Sequence, residues 1–173
     1  KDYAAFQKAV SYGFVDKNPT KIEELQKFIS NYKSSSLVDD AYYELGSTYA
    51  NSNQTSKAIE TFNQLLTNYP KSNLASKAIL RQGVVYINAN DEDKAIERFK
   101  KVVNDYPGSQ DAIEAVQNAR IAYLDTGRSN EFAAWVKGLD FVDISTAELE
   151  NDVYTSAENQ MAQNNNDAAL KSL

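Results

Sequence analysis

The sequence repeats with a period of 37 residues along its whole length, and no gap is needed to keep the copies in phase. Seven of the eleven tyrosines fall into two columns of this repeat. The five clearest columns are Tyr32, Tyr69 and Tyr106; Tyr12, Tyr49, Tyr86 and Tyr123; Ala4, Ala41, Ala78 and Ala115; Ile22, Ile59, Ile96, Ala133 and Leu170; and Leu25, Phe62, Phe99, Val136 and Leu173. A period of about 20 to 50 residues is typical of supersecondary units that bury a core only by stacking on one another. It therefore constrains the fold before any local propensity does.

Each repeat contains two predicted helices that a polar turn separates. In the first, helix A, apolar residues recur three and four positions apart, as in an amphipathic helix. The second, helix B, has a single apolar stripe at the same spacing. Helix A is predicted at 37–51, 74–88 and 111–125, and helix B from near Lys57, Lys94 and Glu131.

Several residues mark where these helices start and stop. Pro70 and Pro107 end two of the B helices, because proline restricts the residue before it and cannot donate into a helix. Ser36 and Ser145 are each followed three residues later by a carboxylate, which is typical of a helix start. No segment shows the alternation expected of a strand, so the predicted fold class is all-α.

We predict one domain over residues 1–173, built from stacked antiparallel helix pairs around a continuous core. Its repeats are predicted at about 1–36, 37–73, 74–110, 111–147 and 148–173, the last of them incomplete. Because the chain begins at Lys1 and ends inside a repeat, we expect it to be part of a longer protein.

The composition argues against several classes of function. Without cysteine or histidine, the chain has no disulfide or thiolate nucleophile and lacks the commonest general base and metal ligand. A net charge of -6 disfavours nucleic-acid binding, which depends on clustered Lys and Arg. We predict no enzymatic activity, no cofactor, no metal and no membrane insertion. The acidic turn at 88–93 lacks the glycine of a calcium loop and is interpreted as a solvated turn.

Repeat two resembles the tetratricopeptide repeat. From Ala41 it reads A-Y-Y-E-L-G-S-T-Y, and it continues to K-A-I-E-T-F and Y-P. The positions that match the family are Tyr42, Leu45, Gly46 and Gly83; Tyr49, Tyr86 and Tyr123; Ala58, Ala95 and Ala169; Phe62 and Phe99; and Pro70 and Pro107. The resemblance implies a right-handed superhelical solenoid of antiparallel helix pairs. In such a fold small residues let helices approach closely, and large rings fill the space between hairpins.

The repeats depart from the family pattern in length and in one copy. The usual repeat has about 34 residues, whereas this longer form, with the loops YPKSN and YPGSQ, is similar to repeats of bacterial envelope proteins. These are the periplasmic coordinator of the Tol-Pal system and the lipoprotein that assembles outer-membrane proteins. The resemblance implies a periplasmic or outer-membrane-associated location. In repeat four, Arg120 replaces the glycine and Phe132 the alanine, and we expect Trp135 to fill the altered space.

In the family, helix A lines a concave groove that binds the partner. Carried onto this sequence, the groove residues are Tyr43, Ser47, Asn51, Lys77, Leu80, Val84, Ile87, Asn88, Gln117, Ile121, Leu124 and Asp125. The apolar members among them form either an exposed strip that contacts a partner or a set that superhelical curvature buries between neighbours. Asn51, Asn88 and Asp125 either bond a peptide backbone or cap their turns, and capping is the favoured interpretation.

The main functional hypothesis is a non-enzymatic scaffold that binds a protein or peptide through the helix-A groove. The alternative is a structural segment of a longer solenoid, or an end-to-end oligomer that associates through its open repeat ends, because Leu170 and Leu173 are core-type residues at the end of the chain. A sugar-binding or enzyme-accessory module has only the tyrosines in its favour, and most of those lie in core columns.

Overall fold

The computed structural model describes residues 1–15 and 17–172, and every regular element in that part of the chain is a helix. A short 3₁₀ helix at Tyr12–Val15 follows the first α-helix. The ten α-helices are α1 (Asp2–Ser11), α2 (Asn18–Asn31), α3 (Val38–Asn51), α4 (Thr55–Asn68), α5 (Ala75–Asn88), α6 (Glu92–Asp105), α7 (Gln110–Asp125), α8 (Ser129–Val136), α9 (Thr146–Ala162) and α10 (Asn166–Ser172). Odd-numbered helices are the A helices of the repeat, and even-numbered helices are the B helices.

The chain forms two compact units, residues 1–85 and 86–173, and the boundary falls within α5. In unit 1, α1 packs on α2, α2 on α3, and α3 on α4. In unit 2, α6 packs on α7, α7 on α8 and α9, and α9 on α10. The predicted fold class, an all-α chain of antiparallel helix pairs, is confirmed. The assignment of all 173 residues to one array stays a prediction.

The predicted helices agree with the structure to within about two residues, except in repeat four. There α8 ends at Val136 after eight residues, whereas α4 and α6 each have fourteen. The start signal at Ser145 is confirmed: its backbone N–H donates to the Glu148 carboxylate, and its Oγ accepts the Glu148 N–H. The signal at Ser36 is wrong, because Ser35 is the serine whose Oγ accepts the Leu37 N–H, just before α3.

The turn from helix A to helix B has the same backbone geometry in four repeats. Its left-handed residue has a φ of 54 to 71° and recurs every 37 positions. The N–H of the following residue donates to the carbonyl five positions back, which is the longer bond of a Schellman motif. Glycine and asparagine adopt this conformation at the lowest cost, and the four positions hold Asn53, Asn90, Gly127 and Asn164. The turn therefore ends α3, α5, α7 and α9 at equivalent positions of the repeat.

The core of unit 1 depends on a small residue that faces an aromatic ring. Gly46 lies in the middle of α3, and a Cβ added there would come within 2.7 Å of the Phe62 ring on α4. Phe62 is fully buried, and Ala41 and Leu65 share its core. Tyr49, also buried, accepts a hydrogen bond from Gln26 of α2 at 2.9 Å. Helices α2 and α4 are thus both held against α3.

Unit 2 replaces this arrangement with an aromatic cluster. Phe132, fully buried, occupies the alanine column, and Val136 occupies the column that holds Phe62 and Phe99 in earlier repeats. The ring centroids of Tyr123, Phe132 and Trp135 lie 6.0 to 6.3 Å apart. Trp135 therefore fills the altered space, as predicted.

Unit 2 also departs from the repeat pattern at two A-helix positions, the column of Gly46 and Gly83 and the column of Ala41 and Ala78. Arg120 stands in the glycine column, and Asp152 of α9 stands where the earlier A helices have alanine. The Arg120 guanidinium donates three hydrogen bonds to the Asp152 carboxylate, two from Nε and one from Nη2, at 2.7 to 3.0 Å. Asp152 is 2% exposed, so the pair replaces close helix contact with a partly buried, bidentate ion pair.

Two more hydrogen bonds from side chains join α9 to α7. The Ser156 hydroxyl donates to the Leu124 carbonyl at 3.0 Å, and the Gln160 amide donates to the Asp125 carbonyl at 2.7 Å. These carbonyls belong to the last turn of α7, where no further N–H of the helix is available to donate to them. Helix α9 thus stabilises the end of α7 with side-chain donors spaced four residues apart.

The first prediction concerns the close contact at Gly46. We expect Gly46→Ala to lower the free energy of unfolding by about 1–2 kcal/mol, because overpacking against the buried Phe62 outweighs the helix propensity of alanine. Urea denaturation measures the change. Gly138→Ala is the matched control: its Cβ would meet only a backbone oxygen at 3.6 Å, so a change within about 0.5 kcal/mol is expected. Equal effects at the two sites would contradict the explanation.

The second prediction concerns Arg120 and Asp152. A double-mutant cycle of Arg120→Ala and Asp152→Ala should give a coupling free energy of about 1–3 kcal/mol. Water reaches part of the Arg120 side chain, so the effect should fall below the roughly 3–5 kcal/mol of breaking a fully buried pair. Removal of the exposed partner of Arg128 by Asp93→Ala serves as the control and should cost less than about 1 kcal/mol. A coupling near zero would show that the pair adds nothing.

Candidate partner-binding surface

The structure distributes the predicted groove residues over the A helices of both units. In unit 1, Tyr43 and Ser47 are half-buried, and the Tyr43 ring packs on Phe62 with centroids 5.9 Å apart. The remaining groove residues with polar side chains are all exposed: Asn51, Lys77, Asn88, Gln117 and Asp125. Asn51 and Asn88 are the last residues of α3 and α5, whereas the left-handed turn residues are Asn53 and Asn90.

The apolar groove residues do not form a continuous exposed strip. Leu80 is 4% exposed and Leu124 is 8% exposed, so both belong to the core. The physical reason at Leu124 is the polar α7–α9 contact, because α9 lies against this end of α7. Val84 and Ile87 are half-buried, whereas Ile121 is 57% exposed. Of the two alternatives, burial thus applies to the leucines and exposure to Ile121.

Unit 2 exposes four large apolar side chains on its A helices, which we call the α7–α9 apolar face. Ile113 and Ile121 lie eight residues apart on α7, and Tyr154 and Met161 lie seven apart on α9. At helical spacing each pair shares one face of its helix. Their exposed fractions run from 36 to 64%. Exposed apolar residues that cluster on a soluble protein mark contact sites more often than scattered ones do.

Sequence reasoning missed Ile113, Tyr154 and Met161. The signal for two of them was present, because Tyr154 and Met161 follow the groove residues Gln117 and Leu124 by one period of 37. The predicted groove residues end at Asp125 and include none from the incomplete last repeat. Ile113 lies one turn before Gln117 on the same face of α7.

Carboxylates surround the α7–α9 apolar face. Helices α7 and α9 together contain seven Asp and Glu residues but a single basic residue, Arg120. The hydrogen bonds from Arg120 to Asp152 raise the pKa of the guanidinium, which stays charged and occupied by that carboxylate. Glu114, Glu150 and Glu158 are exposed, and the described part of the chain offers them no ion-pair partner.

The charge of the chain is unevenly distributed. Residues 1–85 contain ten Lys and Arg against eight Asp and Glu, a formal charge of +2, whereas residues 86–173 contain eight against sixteen, a formal charge of -8. At the start of α9, the backbone N–H and hydroxyl of Ser145 hold the pKa of Glu148 below its usual value. Glu148 therefore stays ionised at neutral pH.

Unit 1 contains a separate cleft of about 570 Å³ on the side of its B helices, α2 and α4. Three tyrosines line it: Tyr42 and Tyr69, whose ring centroids lie 6.0 Å apart, and Tyr49. Lys57 lies over the Tyr49 ring at 5.4 Å, and burial raises the pKa of the Tyr49 phenol, which therefore stays neutral. The sequence could not predict this cleft, because its walls come from two repeats whose separation is set only by packing.

Two features that would indicate other functions are absent from the described residues. In the described ranges no group of three or more acidic side chains is placed to hold a metal ion. Among the same residues, no helix is both long and apolar enough to cross a bilayer. The acidic turn before α6 has a structural role, because the Asp91 side chain accepts the Lys94 N–H as an N-cap.

The comparisons with known proteins agree with this architecture. The family model of the tetratricopeptide repeat matches residues 40–72 and 77–109. The search of the curated proteins gave no significant match.

Solved structures match nearly the whole chain. A crystal structure of MamA is 22% identical, with a TM-score of 0.65, and the match covers 95% of this chain and 81% of MamA. MamA from Desulfovibrio magneticus RS-1, residue 41 to the end, is 16% identical, with a TM-score of 0.64 and coverage of 99% and 90%. A putative kinesin light chain from Podosopora anserina with nearly identical TPR-like repeats is 13% identical, with a TM-score of 0.62 and coverage of 98% and 90%. At these identities the likeness concerns the fold, and the match to the tetratricopeptide-repeat family model covers two segments of the chain, residues 40–72 and 77–109.

Proposed function

We propose that this chain is a non-enzymatic scaffold that binds a protein partner through exposed side chains of its A helices. The observation that carries the proposal is the α7–α9 apolar face, where Ile121 is more than half exposed at a position that the family resemblance places in the groove. Burial of such side chains against a partner contributes favourable free energy at roughly 25 cal/mol per Å². Tetratricopeptide repeats in general mediate protein–protein interaction, which supports this assignment for the matched segments.

The chemistry of the chain supports a binding role over a catalytic one. The sequence contains no histidine or cysteine, so acid–base or nucleophilic catalysis would depend on carboxylates, lysines and hydroxyls. The most buried carboxylate, Asp152, is occupied by Arg120 and serves packing. The exposed carboxylates of α7 and α9 lie beside apolar side chains, an arrangement typical of an interface rim.

We also propose a periplasmic or outer-membrane-associated location in a bacterium. The support is the resemblance of the 37-residue repeats and their Y-P-x-S loops to repeats of bacterial envelope proteins. Fractionation of cells that produce the full-length protein tests this location. Recovery in the cytoplasmic fraction alone would contradict it.

A second candidate function is self-association or continuation of the array beyond α10. It is favoured by Leu170, a residue of a core column that is 74% exposed. Leu173, the other residue behind this hypothesis, lies outside the described residues. Sedimentation equilibrium distinguishes the two functions, because an oligomer that dissociates on Leu170→Glu would support association through this end. A monomer at every concentration would exclude self-association through this end.

The third prediction tests the groove. Random 15-residue peptides selected on the immobilised chain should bind at least about tenfold more weakly to Ile121→Asp, because a carboxylate on the apolar face disfavours contact with apolar peptide side chains. Fluorescence anisotropy measures the affinity, and circular dichroism should be unchanged because Ile121 is exposed.

Asn104→Asp, an exposed position on helix B of the same unit, adds the same charge away from the face and should leave binding within about twofold. Peptides that bind Ile121→Asp as tightly as the unchanged chain would overturn the groove proposal. So would a selection from which no binding peptide emerges.

A further inference from the structure

We propose that the partner segment held by the α7–α9 apolar face is a basic amphipathic helix, with apolar side chains on one side and Lys or Arg beside them. This inference rests on the proposed function and adds the chemistry of the partner. It follows from three features of unit 2: the spacing of the apolar side chains, the carboxylates among them, and the lack of a free cation on the two helices.

The spacing of the apolar side chains fits a helix. Tyr154 and Met161 are separated by seven residues, which is about 10 Å along α9, and Ile113 and Ile121 by eight, about 12 Å along α7. An amphipathic helix presents its own anchor residues at i and i+7, about 10 Å apart. Each pair can therefore contact two successive anchors of one partner helix.

Carboxylates lie within one helical turn of three of the four apolar residues, on the same face. Glu150 and Glu158 lie four residues before and after Tyr154, and Glu158 is three residues before Met161. Asp125 is four residues after Ile121 and also accepts a hydrogen bond from the Asn159 amide at 3.2 Å. Residues three and four apart are neighbours on a helix surface. A partner that buries the apolar residues thus brings its flanking side chains next to these negative charges.

No side chain of α7 or α9 neutralises these carboxylates. Arg120, the single basic residue of the two helices, donates its bonds to the buried Asp152. The unit as a whole has a formal charge of -8. An acidic helix, a phosphate backbone or an anionic lipid surface would meet repulsion here, whereas a basic helix gains electrostatic attraction that also speeds association.

The fourth prediction uses three synthetic 16-residue amphipathic helices with the same apolar positions. Their polar positions carry Lys and Arg, Gln and Ser, or Glu. Fluorescence anisotropy with the full chain should give at least about tenfold tighter binding for the basic peptide than for the neutral one, and weaker binding again for the acidic one. Between about 50 and 200 mM salt, the basic peptide should lose affinity more steeply than the neutral one.

Two charge-reversed variants distinguish an effect of the carboxylates on the α7–α9 apolar face from an effect of net charge. The triple variant Glu114→Lys, Glu150→Lys and Glu158→Lys changes the α7–α9 apolar face and should reverse the preference towards the acidic peptide. The matched control, Glu97→Lys, Asp105→Lys and Asp140→Lys, makes the same change of net charge at exposed positions outside the two helices and should keep the preference for the basic peptide. Circular dichroism and thermal melting check that both variants stay folded.

Each outcome decides between the two proposals. Equal binding of the basic and neutral peptides, with loss of both on Ile121→Asp, would overturn the basic-partner inference and leave the groove proposal standing. An equal loss of basic-peptide binding in both charge-reversed variants would show an effect of net charge alone and would also overturn the inference. If none of the three peptides binds, this inference fails, and the peptides selected on the chain then decide the groove proposal through their response to Ile121→Asp.

Discussion

The close approach of two antiparallel helices is the constraint on which the rest of this structure depends. In unit 1 it is made possible by Gly46, whose missing side chain leaves room for the Phe62 ring. A ring that is fully buried against backbone fixes the separation of α3 and α4, and this separation decides which neighbouring positions are covered. Tyr43, for example, is half-buried because its ring lies on Phe62. The tyrosine-lined cleft on the other side of α3 exists for the same reason, because α2 and α4 are both held against that helix.

Unit 2 solves the same packing problem with different chemistry. Arg120 stands in the column of Gly46 and Gly83, so a large side chain must be placed between helices α7 and α9. Asp152, in the column of Ala41 and Ala78, supplies the carboxylate that binds it. In helix B of repeat four the buried ring is Phe132, which lies one turn before the position equivalent to Phe99. Trp135 completes the aromatic cluster. The contact between α7 and α9 accordingly includes hydrogen bonds, in which Ser156 and Gln160 donate to the last carbonyls of α7. A polar contact of this kind adds directional bonds and less hydrophobic burial than the glycine–aromatic contact of unit 1.

These packing differences bear on the proposed function. The buried residues of α9 are small or polar, and its large apolar side chains Tyr154 and Met161 lie on the exposed side, one period after groove positions of α7. Because Arg120 is occupied by Asp152, it does not neutralise the exposed Glu114, Glu150 and Glu158 on the same helices. Arg120 and Asp152, the two residues of the unit 2 core that depart from the repeat pattern, thus also affect the apolar and acidic character of its surface. Such a surface favours a basic amphipathic partner on physical grounds, independent of any relative.

The sequence by itself determined the repeat period, the helix pairs and most of the core columns, because each depends on local periodicity or on short-range backbone geometry. The 37-residue spacing of Asn53, Asn90, Gly127 and Asn164 shows how direct this relation is, since every one of them adopts the left-handed conformation that ends a helix A. Only the tertiary structure decided which groove positions are exposed. Leu80, Leu124 and Ile121 have similar side chains in the same predicted strip, yet the first two are buried and the third is not. Exposure depends on which helix covers a residue and at what distance, and the side chains between the helices set that distance together.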